Sequence, residues 1–227
     1  MSRPGLVLVG LFAFTLFATG FSEAASPASG PAQESLRPFV SFRAPDPDEE
    51  FAYVWQIIAR RPFSRDRGYR VSLPDHPKFQ ELARAGVAQS AGDREGCARL
   101  FWSRIFKPQD YAAGLKALSG LEASCQKVWP LFLDLASHWG FNVWPAYEVL
   151  LTLYGPGGSY EPGTGGVRIR TTPGGAFARP EPFHSVVHEM VHLGVQETLV
   201  ERFGLNHREK ERLVDLICVL KLGPVLT

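Results

Sequence analysis

A strong excess of either charge is the first thing this sequence lacks, since 24 Lys+Arg stand against 23 Asp+Glu in 227 residues, a formal +1. No global field therefore draws the chain toward nucleic acid or an acidic surface. Long hydrophobic runs are missing beyond residue 25, so no membrane span is expected after the N-terminus. Cysteine is scarce, at three residues. The glycine-rich stretch GPGGSYEPGTGG (155–166) lacks a following Lys-Ser/Thr and opens no helix. That excludes a P-loop phosphate cradle and leaves a mobile hairpin loop as the reading.

The remaining composition, 45% hydrophobic and 21% charged, suits one globular domain. Residues 1–24 read as a secretory signal peptide: Arg3 in a short polar head, an apolar run from Leu6 to Phe21, then small residues Ser22 and Ala24 before a cleavage point at Ala25. The alternative is an uncleaved membrane anchor, because the run has borderline length. Cleavage would deliver a periplasmic or secreted protein. In that oxidising setting Cys97 and Cys125 are the expected disulfide pair, and Cys218, in the apolar stretch LVDLICVL, is expected as a small buried hydrophobe.

Pro, Ala, Ser and Gly dominate the segment after the signal, which predicts a flexible leader over 25–45 and a single domain over 46–227. Asp46, Pro47 and the acids at 48–50 form a helix start, and Phe51, Val54, Trp55 and Ile58 follow at helical spacing. Further helices are predicted at 76–90, 94–106, 109–118 and 120–139. From Tyr147 the period falls to two, and Val167 and Ile169 alternate with Arg168 and Arg170, which predicts a two-stranded antiparallel unit. Two more helices are expected over 182–203 and 206–222, separated at Gly204, with Asn206 as N-cap. The fold class is therefore α+β: a mostly helical N-terminal half (46–140), a small antiparallel sheet or hairpin, then a metal-site part over 145–222.

The chemistry lies in the last two helices. His188 and His192 in HEMVH are four apart, so their imidazoles leave the same helix face one turn apart and can converge on one ion. Glu189, beside the first histidine, can act as a base on a metal-held water without being a ligand. In the next helix Glu211 and Asp215, in ERLVD, share a face. Glu211 offers a third ligand, and Asp215 a carboxylate to orient the His188 ring. Cys218, seven residues past Glu211, is too far along the axis to ligate the same ion.

An HExxH helix followed by an ExxxD helix resembles the gluzincins, the thermolysin-like clan of zinc metallopeptidases, over about residues 145–220. The resemblance implies Zn2+ held by His188, His192 and Glu211, Glu189 as general base, Asp215 behind His188, and a peptide or protein as substrate. It also implies that strand Val167–Thr171 is the edge that pairs with substrate, or else a plain sheet edge. The chain departs from the clan where residues 212–227 hold no His or Tyr to steady the reaction's oxyanion. Tyr160 and His184 are the favoured replacements, with His207, Arg168 and Arg170 behind them. The clan's large C-terminal helical domain has no counterpart either. Two other functions stay open: a zinc-binding scaffold without turnover, and a zinc hydrolase of a non-peptide amide. Nucleic acid is not expected as a partner, and the oligomeric state is not legible.

Overall fold

The computed structural model describes residues 38–60, 68, 70–85 and 93–226. The expected signal peptide and most of the expected leader lie outside them. The class is α+β. A four-stranded sheet runs in the order β1-β2-β4-β3, with β1 at Phe39–Arg43, β2 at Ala146–Thr152, β3 at Gly158–Tyr160 and β4 at Gly166–Arg170. β1 and β4 both pair with β2 in parallel, and β3 pairs with β4 antiparallel.

Three expectations change here. Strands β2 and β4 are parallel, not an antiparallel pair, because the expected hairpin loop itself contains β3, which supplies the reversal. The leader does not extend to 45: FVSFR becomes β1, with Val40 buried under the sheet at 3% exposure. Strand β4 is not an edge, since β2 and β3 flank it; the edge beside the HEMVH helix is β3.

Helix α1 (Pro47–Ala59) starts as its sequence predicts, with Asp46 accepting from the Glu49 amide at 2.7 Å and the Glu49 carboxylate accepting from the Asp46 amide at 2.9 Å. It covers one sheet face. A buried carboxylate fixes it there: Glu50 Oε1 accepts from Tyr111 Oη, Thr152 Oγ1 and the Leu153 amide at 2.9, 2.8 and 3.0 Å. Burial raises the Glu50 pKa, and these donors pull against that rise. Arg43 adds a second clamp, donating to Glu49 of α1 at 2.7 Å and to Glu148 of β2 at 2.8 and 2.9 Å.

The remaining N-terminal helices are α2 (Pro77–Ala85), α3 (Arg94–Leu100), α4 (Ala112–Leu118), α5 (Leu121–Gln126) and α6 (Trp129–Trp139). A π turn at Phe101–Ile105 continues α3, and a 3-10 turn at Pro108–Tyr111 precedes α4. The single helix expected over 120–139 is two, because Pro130 has no amide proton to continue the ladder and instead occupies the first turn of α6. Cys97 and Cys125 are free and buried in separate apolar clusters, so the structure does not contain the expected disulfide.

Helix α7 (Pro182–Val195) covers the other sheet face, with Val186, Val187, Met190 and Val191 packed against Val149, Val167 and Ile169. A π turn at Gln196–Glu201 extends it, Gly204 turns the chain at φ 62°, and α8 (His207–Leu220) returns alongside, followed by α9 (Gly223–Leu226). Among the described residues no helix is long and apolar enough to cross a membrane.

Two outcomes follow. A methyl group on Gly194 of α7 would enter the ring of Phe141. Gly194→Ala should cost about 1–3 kcal/mol by overpacking against about 1 kcal/mol gained in helix propensity, giving a lower melting temperature. The Arg43 guanidinium holds Glu49 at a pKa of about 2, below its ordinary 4.5. A carboxylate depressed on folding stabilises above its unfolded pKa and loses that contribution as pH falls through the folded one. Urea melts of the parent and Glu49→Gln should therefore differ at pH 7 and converge between pH 4.5 and 2.

Candidate metal centre

The middle of α7 is buried on every side, so the chain must find partners there for three polar side chains. His188, Glu189 and His192 are 9%, 9% and 3% exposed. Asn206 caps α8 with a full capping box to Glu209, and that start sets Glu211 a little over one turn into the helix, facing the histidine pair.

The geometry suits a metal. His188 Nε2 and His192 Nε2 are 3.1 Å apart, and Glu211 Oε2 lies 3.4 Å from His192 Nε2 and 3.8 Å from His188 Nε2. A tetrahedral ion with ligand bonds near 2.0–2.1 Å requires donors separated by about 3.4 Å. The triangle thus has the right size for zinc, and its two imidazoles and one carboxylate are the donor set of an open zinc site.

The same side chains are strongly perturbed by their surroundings. Burial drives Glu189 up to about 7, the Glu211 charge adding to the rise and His188 opposing it. A carboxyl with a pKa near neutrality is suited to taking and returning a proton. Glu211 moves down despite its burial, since both histidines bond to it. Burial lowers His192; it also pulls on His188, but contact with Cys218 and Glu211 prevails and lifts His188 to about 10.

Around this core the other expected residues divide. Tyr160 lies flat on the His192 ring, centroids 4.9 Å apart and planes 7° from parallel. Its hydroxyl donates to Gln196 Oε1 at 2.7 Å and accepts from Lys210 Nζ at 3.1 Å. Burial raises its pKa against the pull of Lys210, so it remains a donor, one that must release Gln196 to serve an oxyanion. Asp215 is largely exposed and stands 3.9 Å from His188 Nδ1, in ion-pair range but beyond a hydrogen bond. His184 is not brought to the centre. Its Nδ1 is 2.8 Å from Glu181 Oε2 and its Nε2 meets the Leu226 carbonyl, which ties the start of α7 to the C-terminal turn. His207 does reach the site, 3.5 Å from Glu211 Oε1.

Three contributors have no clear mark in the sequence. Lys210 holds Tyr160 and stands 3.7 Å from Glu211 Oε1; its position next to the third ligand was the one available signal. Cys218 touches the His188 ring, two turns beyond Glu211 on the same face of α8. Gly158 of β3 lies so close to Glu189 that a β-carbon would collide with the carboxylate, a close approach only glycine allows. All line or adjoin a cleft of about 710 Å3 that contains His188, Glu189, His192 and Glu211 together with β3.

Compared with known proteins, the chain matches no family model, no curated protein and no solved structure. The ligand triangle yields its own check. Calorimetric titration with Zn2+ should show one ion per chain, and Glu211→Ala should weaken it by more than the 10–100-fold typical of losing a residue behind a ligand. Asp215→Ala should remain within or below that range, and retention of full affinity by Glu211→Ala would remove Glu211 from the ligand set.

Proposed function

We propose that the protein is a zinc-dependent peptidase of compact gluzincin type, secreted or periplasmic, that hydrolyses peptide bonds in a peptide or protein substrate. One observation carries the reading: three donor atoms spaced for a tetrahedral ion, with the buried carboxylate of Glu189 on the same helix, open onto a cleft bordered by a sheet edge.

The sheet edge supplies the substrate's track. The Glu161 amide donates to the Gly166 carbonyl and the Arg170 amide to the Gly157 carbonyl. Antiparallel pairing alternates, so Ser159 is the next hydrogen-bonded position and Gly158 and Tyr160 turn their amides and carbonyls away from β4. An extended peptide can add to those groups as a further strand. This gives the clan's edge role to β3 in place of β4.

A zinc ion held by His188, His192 and Glu211 would supply Lewis acidity to the scissile carbonyl and to the attacking water. Glu189 accepts the proton of that water and returns it to the departing amine. Tyr160, backed by Lys210, is the donor best placed to steady charge on the carbonyl oxygen, on the order of a few kcal/mol if its hydroxyl turns from Gln196.

The test is incubation of the zinc-loaded protein with a diverse peptide mixture, with new termini read by mass spectrometry. Cleavage by the parent is expected, with loss of at least a hundredfold in Glu189→Gln at unchanged zinc content. Zinc bound by both and no cleavage by either would remove the peptidase reading and leave a metal-binding scaffold.

A further inference from the structure

Strand alternation divides the cleft. Side chains of β3 and β4 that pair across the ladder share a face: Gly158 with Ile169 and Tyr160 with Val167 point to α7, while Ser159 with Arg168 points to α1. The contacts agree. Gly158 and Tyr160 meet Glu189 and His192, whereas Tyr53 of α1 bonds Ser159 Oγ at 2.9 Å and stacks under the Arg168 guanidinium at 4.6 Å. A peptide added to β3 obeys the same period, so every second side chain points away from the metal centre and into the α1 side.

That side is cationic although the chain as a whole is nearly neutral. Among the described residues Arg70 and Arg168 line it beside Arg60, which has a partner of its own, and the acids lining the cleft are Glu189 and Glu211, both at the metal centre, and the exposed Glu161. Arg168 has Nη1 buried without a hydrogen-bond acceptor among the described residues. Of the acids near it, Glu49 is bonded by Arg43 and Glu50 Oε1 by Tyr111, Thr152 and Leu153, while Glu50 Oε2 is buried with no hydrogen-bond partner among the described residues and shares the field of Arg168. An arginine on an aromatic shelf with an unpartnered donor can take a carboxylate as its acceptor.

We propose that the α1 side of the cleft selects acidic side chains at alternate positions of a peptide laid along β3, with Arg168 as the residue that sets the preference. The proposal deepens the peptidase reading and rests on its peptide track, but it concerns binding and so can be measured apart from cleavage.

The experiment uses zinc-loaded protein and three fluorescein-labelled peptides identical except for Glu, Gln or Lys at every second residue. Fluorescence anisotropy should show the Glu peptide bound about tenfold or more tighter than the Gln peptide, with the gap shrinking as salt is raised. In Arg168→Gln, which keeps most of the stem packed on Tyr53, the Glu peptide should fall to within about twofold of the Gln peptide. Equal binding of all three peptides by the parent, binding of none, or an unchanged preference in a folded Arg168→Gln overturns the proposal. Mass spectrometry of the same mixtures separates the two ideas: cleavage without charge preference leaves a peptidase and removes the selectivity, and preference without cleavage does the reverse. Should Arg168→Gln fail to fold, the parent's ranking of the three peptides and its salt dependence still decide.

Discussion

The rest of the molecule is arranged around one constraint: α7 is buried continuously from Ser185 to Val195 while carrying His188, Glu189 and His192 at its centre. A helix enclosed on all sides is ordinarily apolar throughout, and each polar group inside must be compensated. The surrounding elements provide this in order. Sheet strands β2 and β4 cover the valine face, β3 brings Tyr160 flat against His192, and α8 brings Glu211 between the two histidines. Even the turn at Gly204 and the cap at Asn206 serve it, because together they fix the register at which α8 returns and hence the height at which Glu211 meets the pair.

Compensation remains incomplete in a way that points to function. His188 Nε2 and His192 Nε2 meet at 3.1 Å, and His192 Nδ1 is buried with no hydrogen-bond partner among the described residues. Glu189, at 9% exposure, is pushed toward neutrality by burial more than it is held ionised by His188. A protein selected for stability alone would replace such a group with Leu or Met and gain. Unrelieved polar cost inside an otherwise well-packed helix is the usual mark of a site where binding or chemistry supplies the missing partner.

What was legible in the sequence was whatever a single helix encodes. The spacing of His188 and His192, the neighbour Glu189, the Asp46 and Asn206 caps and the placement of Glu211 on the following helix all follow from a 3.6-residue period and local capping chemistry. Pairing between segments was not. The alternation in 147–154 and 167–170 identifies strands, but parallel or antiparallel order depends on what lies between them, and three residues of β3 in a glycine-rich loop are too short to give a period. β1 was hidden for a similar reason: five strand-forming residues follow a long Pro/Ser/Ala stretch that reads as a leader. The cysteines illustrate the limit from the other side, since compartment and count favoured joining Cys97 to Cys125 while packing puts them in different clusters.

The sheet edge shows how little sequence is needed to combine two tasks. Gly158, Ser159 and Tyr160 occupy about 10 Å of chain at strand rise. Gly158 makes room for Glu189, and Tyr160 stacks on His192; Ser159, pointing the opposite way, joins Tyr53 beside Arg168. The backbone groups of the two outer residues are the ones turned out toward a pairing strand. For a peptide paired with β3 as proposed, its two sets of side chains would be locked to a single register, because a one-residue slip would exchange every side chain between the two faces. A strand with only two outward positions would hold such a peptide in few registers.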